Sequence, residues 1–208
     1  MKTVRVAKGS SLRSRLIALG ACPEALAWVG RRSLRCAWRL CDRGDWLMWL
    51  AARVGVDRRV VVLAACECAR TALVYVKMDE KRPRIAIETA ERWARGDTTV
   101  SLSDVTEAAD AAANVANAAA ATYAAYVAAN AAANAATNAA YVAADVAAEA
   151  AANAATYAAN AATYAAYAAA NAADNVADAR TTTLRQFADI VRRHVTIEMI
   201  VTAWRVSK

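Results

Sequence analysis

Cys66-Glu67-Cys68 places two thiols beside a carboxylate, His194 is the only histidine, and Glu88 and Glu91 precede Arg92 and Arg95. These side-chain types bind metals, move protons or attack electrophiles. A structural zinc site needs four converging thiolates or imidazoles. Residues two apart on a helix point to different faces, so Cys66 and Cys68 chelate poorly, and His194 is remote in sequence. A general base needs a partner within hydrogen-bond reach. His194, beside Arg192-Arg193, has none identifiable along the chain and reads as a helix-end side chain. Glu88 and Glu91 each lie four residues before an arginine, the spacing of helix-surface ion pairs. No phosphate-binding glycine loop, GxSxG or HExxH is present. The sequence therefore assigns no catalytic residue, no metal and no cofactor, and reads as a non-enzyme.

The elements that would carry these residues are helices, and the expected fold class is all-α. Pro23 fits a helix first turn and Gly30 its end. Ser33 caps LRCAWRLC, Asp45 caps WLMWLAARV up to Gly55, and Asp57 caps RRVVVLAACECARTALVYVKM. The alternative for Val60-Val61-Val62 is a strand. Pro83 opens RIAIETAERWAR and Gly96 closes it. This is an N-terminal array of short helices over residues 1–100, with short connections. Its expected core includes Trp46, Trp49, Leu50, Val61, Leu63, Ala64, Leu73 and Ile87, and the tryptophans generally read as core rather than as a ligand box.

After a link from Thr98 to Ser103, Asp104 and Glu107 have capping-box spacing, with Asp104 as the cap. Residues 101–180 are an alanine-rich helical repeat, without Gly or Pro. The other residue types recur every three or four positions, about 3.7 on average, which writes one stripe along a nearly straight helix. AATYAAN followed by AATYAAY repeats in sevens, like a coiled-coil seam. Asp145 and Glu149 lie on the stripe, so that portion should meet water, while alanine faces permit close helix approach. The opposite arrangement, with Tyr and Asn inside, would require paired amides and hydroxyls. One helix of about 75 residues would reach about 110 Å, against a compact diameter nearer 45 Å. Two or three long antiparallel alanine-rich helices are expected, turning near Asn134–Asn138, Asn153 or Asn171–Asn175, and their thin packing predicts a homo-oligomer. Residues 181–208 then form a C-terminal helical pair. Thr183 caps LRQFADIVRRHV and Thr196 caps IEMIVTAWRV, with Ile200 and Trp204 packing back on the first domain.

The net charge of +7 comes from the two ends. Residues 1–100 carry about twice as many bases as acids, whereas Arg180 is the only base within 101–180. Such a surface suits an acidic protein or nucleic acid. No apolar run is long enough for a membrane helix, and the charged N-terminus is a poor signal peptide. Five cysteines, an odd number, read as reduced thiols. The expected location is cytoplasmic, with no membrane partner.

The blocks CDRGDWLMWL (41–50), DRRVVVLAACECARTAL (57–73) and RPRIAIETAERWARG (82–96), then ADIVRRHVTIEMI (188–200), occur in that order. Together they cover about half of the chain and resemble immunity protein family five of bacterial polymorphic toxin systems. Relatives of that group often carry alanine-rich stretches between such blocks, and some occur in phage genomes. The resemblance implies a non-enzymatic helical protein that binds and blocks a toxin or, in a phage-borne counter-defence form, a host defence protein. Tyr gives large amphipathic area at low entropic expense. The candidate partner-binding residues are therefore Tyr123, Tyr126, Tyr141, Tyr157, Asn160, Tyr164 and Tyr167, with Arg58, Arg70 and Arg92 as secondary contacts. Two other classes remain. A structural or ice-binding helix would use a flat Thr/Asn/Ala face, though the Thr spacing is irregular. A nucleic-acid-binding protein would use the basic ends and show steep salt dependence.

Overall fold

The computed structural model describes residues 11–71, 73, 79–118 and 176–206, with side chains throughout except at 112–118, 176–180 and 206. The described residues are all-helical. The elements are α1 (Leu12–Leu19), α2 (Pro23–Val29), α3 (Leu34–Leu40), α4 (Gly44–Arg53), α5 (Arg58–Arg70), α6 (Arg82–Ala94), α7 (Leu102–Ala118), α8 (Val176–His194) and α9 (Ile197–Val206). The Val60–Val62 run is helical, within α5. Long antiparallel helices over the alanine-rich repeat, their turns and the facing of the stripe lie outside the described residues.

Cap chemistry sets most boundaries. Pro23 is the first residue of α2, where its missing N–H leaves no donor wasted. The hydroxyl of Ser33 accepts from Cys36 N at 3.3 Å, Asp57 Oδ1 from Arg59 N at 2.8 Å, and Thr196 Oγ1 from Met199 N at 3.2 Å. Gly96, at φ +85°, adopts the left-handed conformation that ends α6 with little steric strain.

Four local expectations are corrected. Helix α4 starts at Gly44 with Arg43 at the cap, and Asp45 is a buried helical residue rather than a cap. Both of its oxygens are taken by Arg43, at 2.8 Å from Nε and 2.5 Å from Nη2. Helix α5 is followed by Thr71 at its C-terminal cap, short of the expected end at Met78; residues 74–78 lie outside the described set. At α7 the capping box is Ser101 with Asp104, not Asp104 with Glu107. Asp104 Oδ2 accepts from Ser101 N at 2.7 Å, and Ser101 Oγ accepts from Asp104 N at 3.2 Å. The Ser101 hydroxyl also donates to Asp104 Oδ2 at 2.7 Å, a further bond that a carboxylate cap could not make. Finally, α8 runs unbroken through Thr181–Thr183, and Thr183 is buried inside it rather than capping it.

The core joins the beginning of the chain to its end. Helix α6 packs between α5 and α7, while α8 packs on α4 and α5. Met48, Val62, Ile87, Phe187 and Ile200 have no exposed surface. Gly44 makes the α4–α8 approach possible: a Cβ there would collide with Phe187 Cβ and come within 2.6 Å of Ala188 N. Leu50, Val61, Ala64 and Ile87 are buried as expected. Trp46, Trp49, Leu63 and Leu73 are only half-buried, packed against the core rather than within it.

Candidate functional site

Three groupings bring chemically capable side chains together. The first is a polar junction where α5, α6 and α8 meet. Helix α5 projects Glu67 and Arg70 one turn apart, α6 supplies Glu91 and Arg95, and the end of α8 supplies Arg193 and His194. Glu91 is buried, and Arg70 binds it with both arms, Nε to Oε1 at 2.6 Å and Nη2 to Oε2 at 2.9 Å. Arg95 adds a third contact at 3.2 Å. The hydrogen bond to Glu91 raises the Arg70 pKa against its partial burial. Beside this pair, His194 Nε2 donates to Glu67 Oε2 at 2.6 Å, and Arg193 pairs with Glu67 Oε1. Partial burial of Glu67 opposes its charge, but the hydrogen bonds from His194 and Arg193 outweigh it and hold the carboxyl below its ordinary range. The two sets face one recess of about 430 Å³, which Leu63 also lines. Both carboxylates are held by cations from other helices, so the junction acts as an electrostatic clamp among three elements.

The partner of His194 lies 127 residues away, which no reading of local spacing could find. Local spacing was also a poor guide to the arginines. Arg70 bridges to Glu91 on another helix. Arg92 binds Asp97 at 2.8 Å and Thr99 at 2.9 Å, not Glu88. Only the Glu91–Arg95 pair forms as spaced. Of the secondary contact candidates, Arg70 and Arg92 are thus held by internal partners, and Arg58 is half-buried and also engaged within the fold. Tyr123, Tyr126, Tyr141, Tyr157, Asn160, Tyr164 and Tyr167 lie outside the described residues. Cys66 and Cys68 are both fully buried thiols, and burial raises both of their pKa values. Among the described residues no group of three His, Cys, Asp or Glu side chains is placed to hold a metal.

The second grouping is a basic recess of about 340 Å³ between α1 and the α2–α3 turn. Arg15, Arg31 and Arg32 line it together with Ser11 and Ser33. Arg15 stacks over Trp204 at 4.2 Å and Arg32 over Trp28 at 4.8 Å. Between residues 11 and 40 the only acid is Glu24, against Arg13, Arg15, Arg31, Arg32, Arg35 and Arg39. Arg35 reaches Glu198 on α9 at 2.8 Å. Arg13, Arg31 and Arg39 are exposed and make no ion pair among the described residues.

The third is a cavity of about 320 Å³ between α1, α2, α3 and α4, walled by Trp28, Trp38, Trp46 and Trp49. Trp28 and Trp46 meet edge to face, with centroids 6.2 Å apart at 62°. Arg43 lies 4.3 Å over the Trp46 ring. Only Trp38 of these four is fully buried. A helical spacing of aromatics looks the same from sequence whether they fill a core or wall a cavity. Among the described residues no helix is long and apolar enough to cross a membrane. Set against known protein families, curated proteins and solved structures, the chain matches none.

Proposed function

We propose that the chain is a non-enzymatic binding protein that neutralises an acidic protein partner, a toxin or a host defence protein, by direct contact. The observation that carries this reading is the uncompensated arginine surface of α1, α3 and the turn before α3, where Arg13, Arg31 and Arg39 stand exposed without an acidic partner among the described residues. Elsewhere arginines are spent internally, at Glu67, Glu91, Asp97 and Asp45. A positive surface left open steers an oppositely charged partner and speeds association. The order of the four immunity-like blocks supports the same reading, and the tyrosines of the alanine-rich repeat, outside the described residues, are its second set of candidate contacts.

The test is affinity purification from the native host with the intact chain as bait. The expected result is one acidic protein recovered in stoichiometric amount, whose activity the purified chain inhibits without turnover. Reversing Arg13, Arg31 and Arg39 to Glu should lower the association rate at least about tenfold and flatten its salt dependence. Recovery of nucleic acid instead, with affinity falling steeply in salt, would replace this reading with the nucleic-acid one. In that case the recess of Arg15, Arg31 and Arg32 with two serine hydroxyls would be the phosphate contact.

A further inference from the structure

We propose that the tryptophan-walled cavity between α1, α2, α3 and α4 is a binding site for a flat, bicyclic aromatic carboxylate. The recess opens to the surface and measures about 320 Å³. That is roughly ten times a water's share of liquid volume, and a cavity of roughly half that size takes a benzene ring. Two fused rings therefore match it, and the volume falls within the range of small-molecule pockets. Exposed Gly20 and Cys22 stand on its lining, which gives a ligand a way in at the α1–α2 turn.

The walls select the chemistry. Four indole rings line the cavity, with Arg32 over one face of Trp28 and Arg43 over one face of Trp46, and stacking on such rings favours a flat aromatic guest. Their N–H groups make no hydrogen bond among the described residues, yet no buried side-chain nitrogen or oxygen is left without a partner. The indole N–H groups are thus open donors reached from the cavity or the surface, and donors call for an acceptor on the guest. Arg43 adds a cation at the wall. Its Nε and Nη2 are bound to buried Asp45, which lines the cavity beside it, and Nη1 is the donor left for an incoming carboxylate. Glu24, the other acid nearby, is fully exposed.

The probe is 2-naphthoate, titrated into the intact chain while tryptophan fluorescence is followed. Saturable one-to-one quenching is expected, with 2-naphthylamine, which lacks the carboxylate, binding at least about tenfold more weakly. Ala25→Phe, which fills the cavity from α2, should weaken 2-naphthoate at least about tenfold while circular dichroism stays unchanged. If that variant fails to fold, Ala21→Leu does the same from the turn. Absence of saturation up to about 1 mM, equal binding of the amine, or unaltered affinity in a folded cavity-filled variant would each overturn the proposal. Binding gained only after residues 1–10 are deleted would overturn it too, by making the chain's own N-terminus the occupant.

Discussion

Gly44 and Arg70 each stand where two helices meet, Gly44 where α4 meets α8 and Arg70 where α5 meets α6. At Gly44 the backbone of α8 occupies the space a methyl group would need, with Ala188 N 2.6 Å from an ideal Cβ. Backbone cannot swing aside as a side-chain tip can. Gly44→Ala should therefore destabilise the fold by about 3 kcal/mol, read as a lowered denaturation midpoint, with α4 and α8 forced apart. A wild-type midpoint would mean that α8 does not approach this closely. Arg70 acts through charge. Removing it leaves Glu91 buried with only the more exposed Arg95 for company. Arg70→Ala should lower stability by about 2 kcal/mol, less than for a fully buried pair because Arg70 is more than a third exposed. The double change Arg70→Met with Glu91→Leu should recover most of that loss, since neither charge then remains to be solvated. Urea denaturation of the three variants separates the two effects.

At the scale of the element, the capping box of α7 is open to test. Ser101→Ala removes the hydroxyl that Asp104 N donates to and should weaken α7 by about 1 kcal/mol. Glu107→Ala should do little, because Glu107 accepts only from the exposed Ser103 hydroxyl at 3.2 Å. Denaturation midpoints of the two variants distinguish the serine cap from the aspartate cap that spacing alone suggests. The same comparison shows what kind of information sequence holds. Ser33, Asp57, Thr196, Pro23 and Gly96 punctuate helices as local stereochemistry requires, so those ends were legible. The start of α8 was not: Thr181–Thr183 has the composition of a cap, but burial of Thr183 beside Leu184 and Phe187 overrides the local preference. Partner choice was legible only where both charges lie on one helix, as for Glu91 and Arg95. The pairs Arg70–Glu91 and His194–Glu67 join different helices, and only packing brings them together. The three candidate sites were illegible for the same reason, since each is assembled from segments that only packing brings together.

For the whole molecule, acid should be the weak side. Glu67, Glu80, Asp97, Asp104 and Glu198 are all held below their ordinary carboxyl range in the folded chain. Asp97, bonded to the Thr99 hydroxyl and N–H and to Arg92, falls to about 2. A carboxyl whose pKa is lower folded than unfolded stabilises the fold above its unfolded value and loses that contribution as pH falls through the folded one. The contribution of these carboxyls should therefore be complete above about pH 5 and decline as pH drops from about 4 toward 2. Thermal melts across that range check it. A maximum below pH 4 would contradict these pairings. Cys66 and Cys68 should resist alkylation until the chain unfolds, whereas exposed Cys22 should react at once.

The contacts that tie the last helices to the first are long ones. Arg35 meets Glu198, Asp42 meets Arg185, and Arg192 donates to the carbonyls of Trp38 and Cys41, across separations of 143 to 163 residues. A ribosome must release nearly the whole chain before the cleft beside Gly44 can be filled, so core closure comes late. For a flexible connection, the entropy of that closure would grow only with the logarithm of the intervening length, about 0.6 kcal/mol per doubling. Such a connection would leave the tethered ends nearly indifferent to how many alanine-rich units separate them, whereas packed antiparallel helices would not. Excising the seven residues AATYAAN at 154–160 should leave the melting midpoint within about 2 °C of the parent.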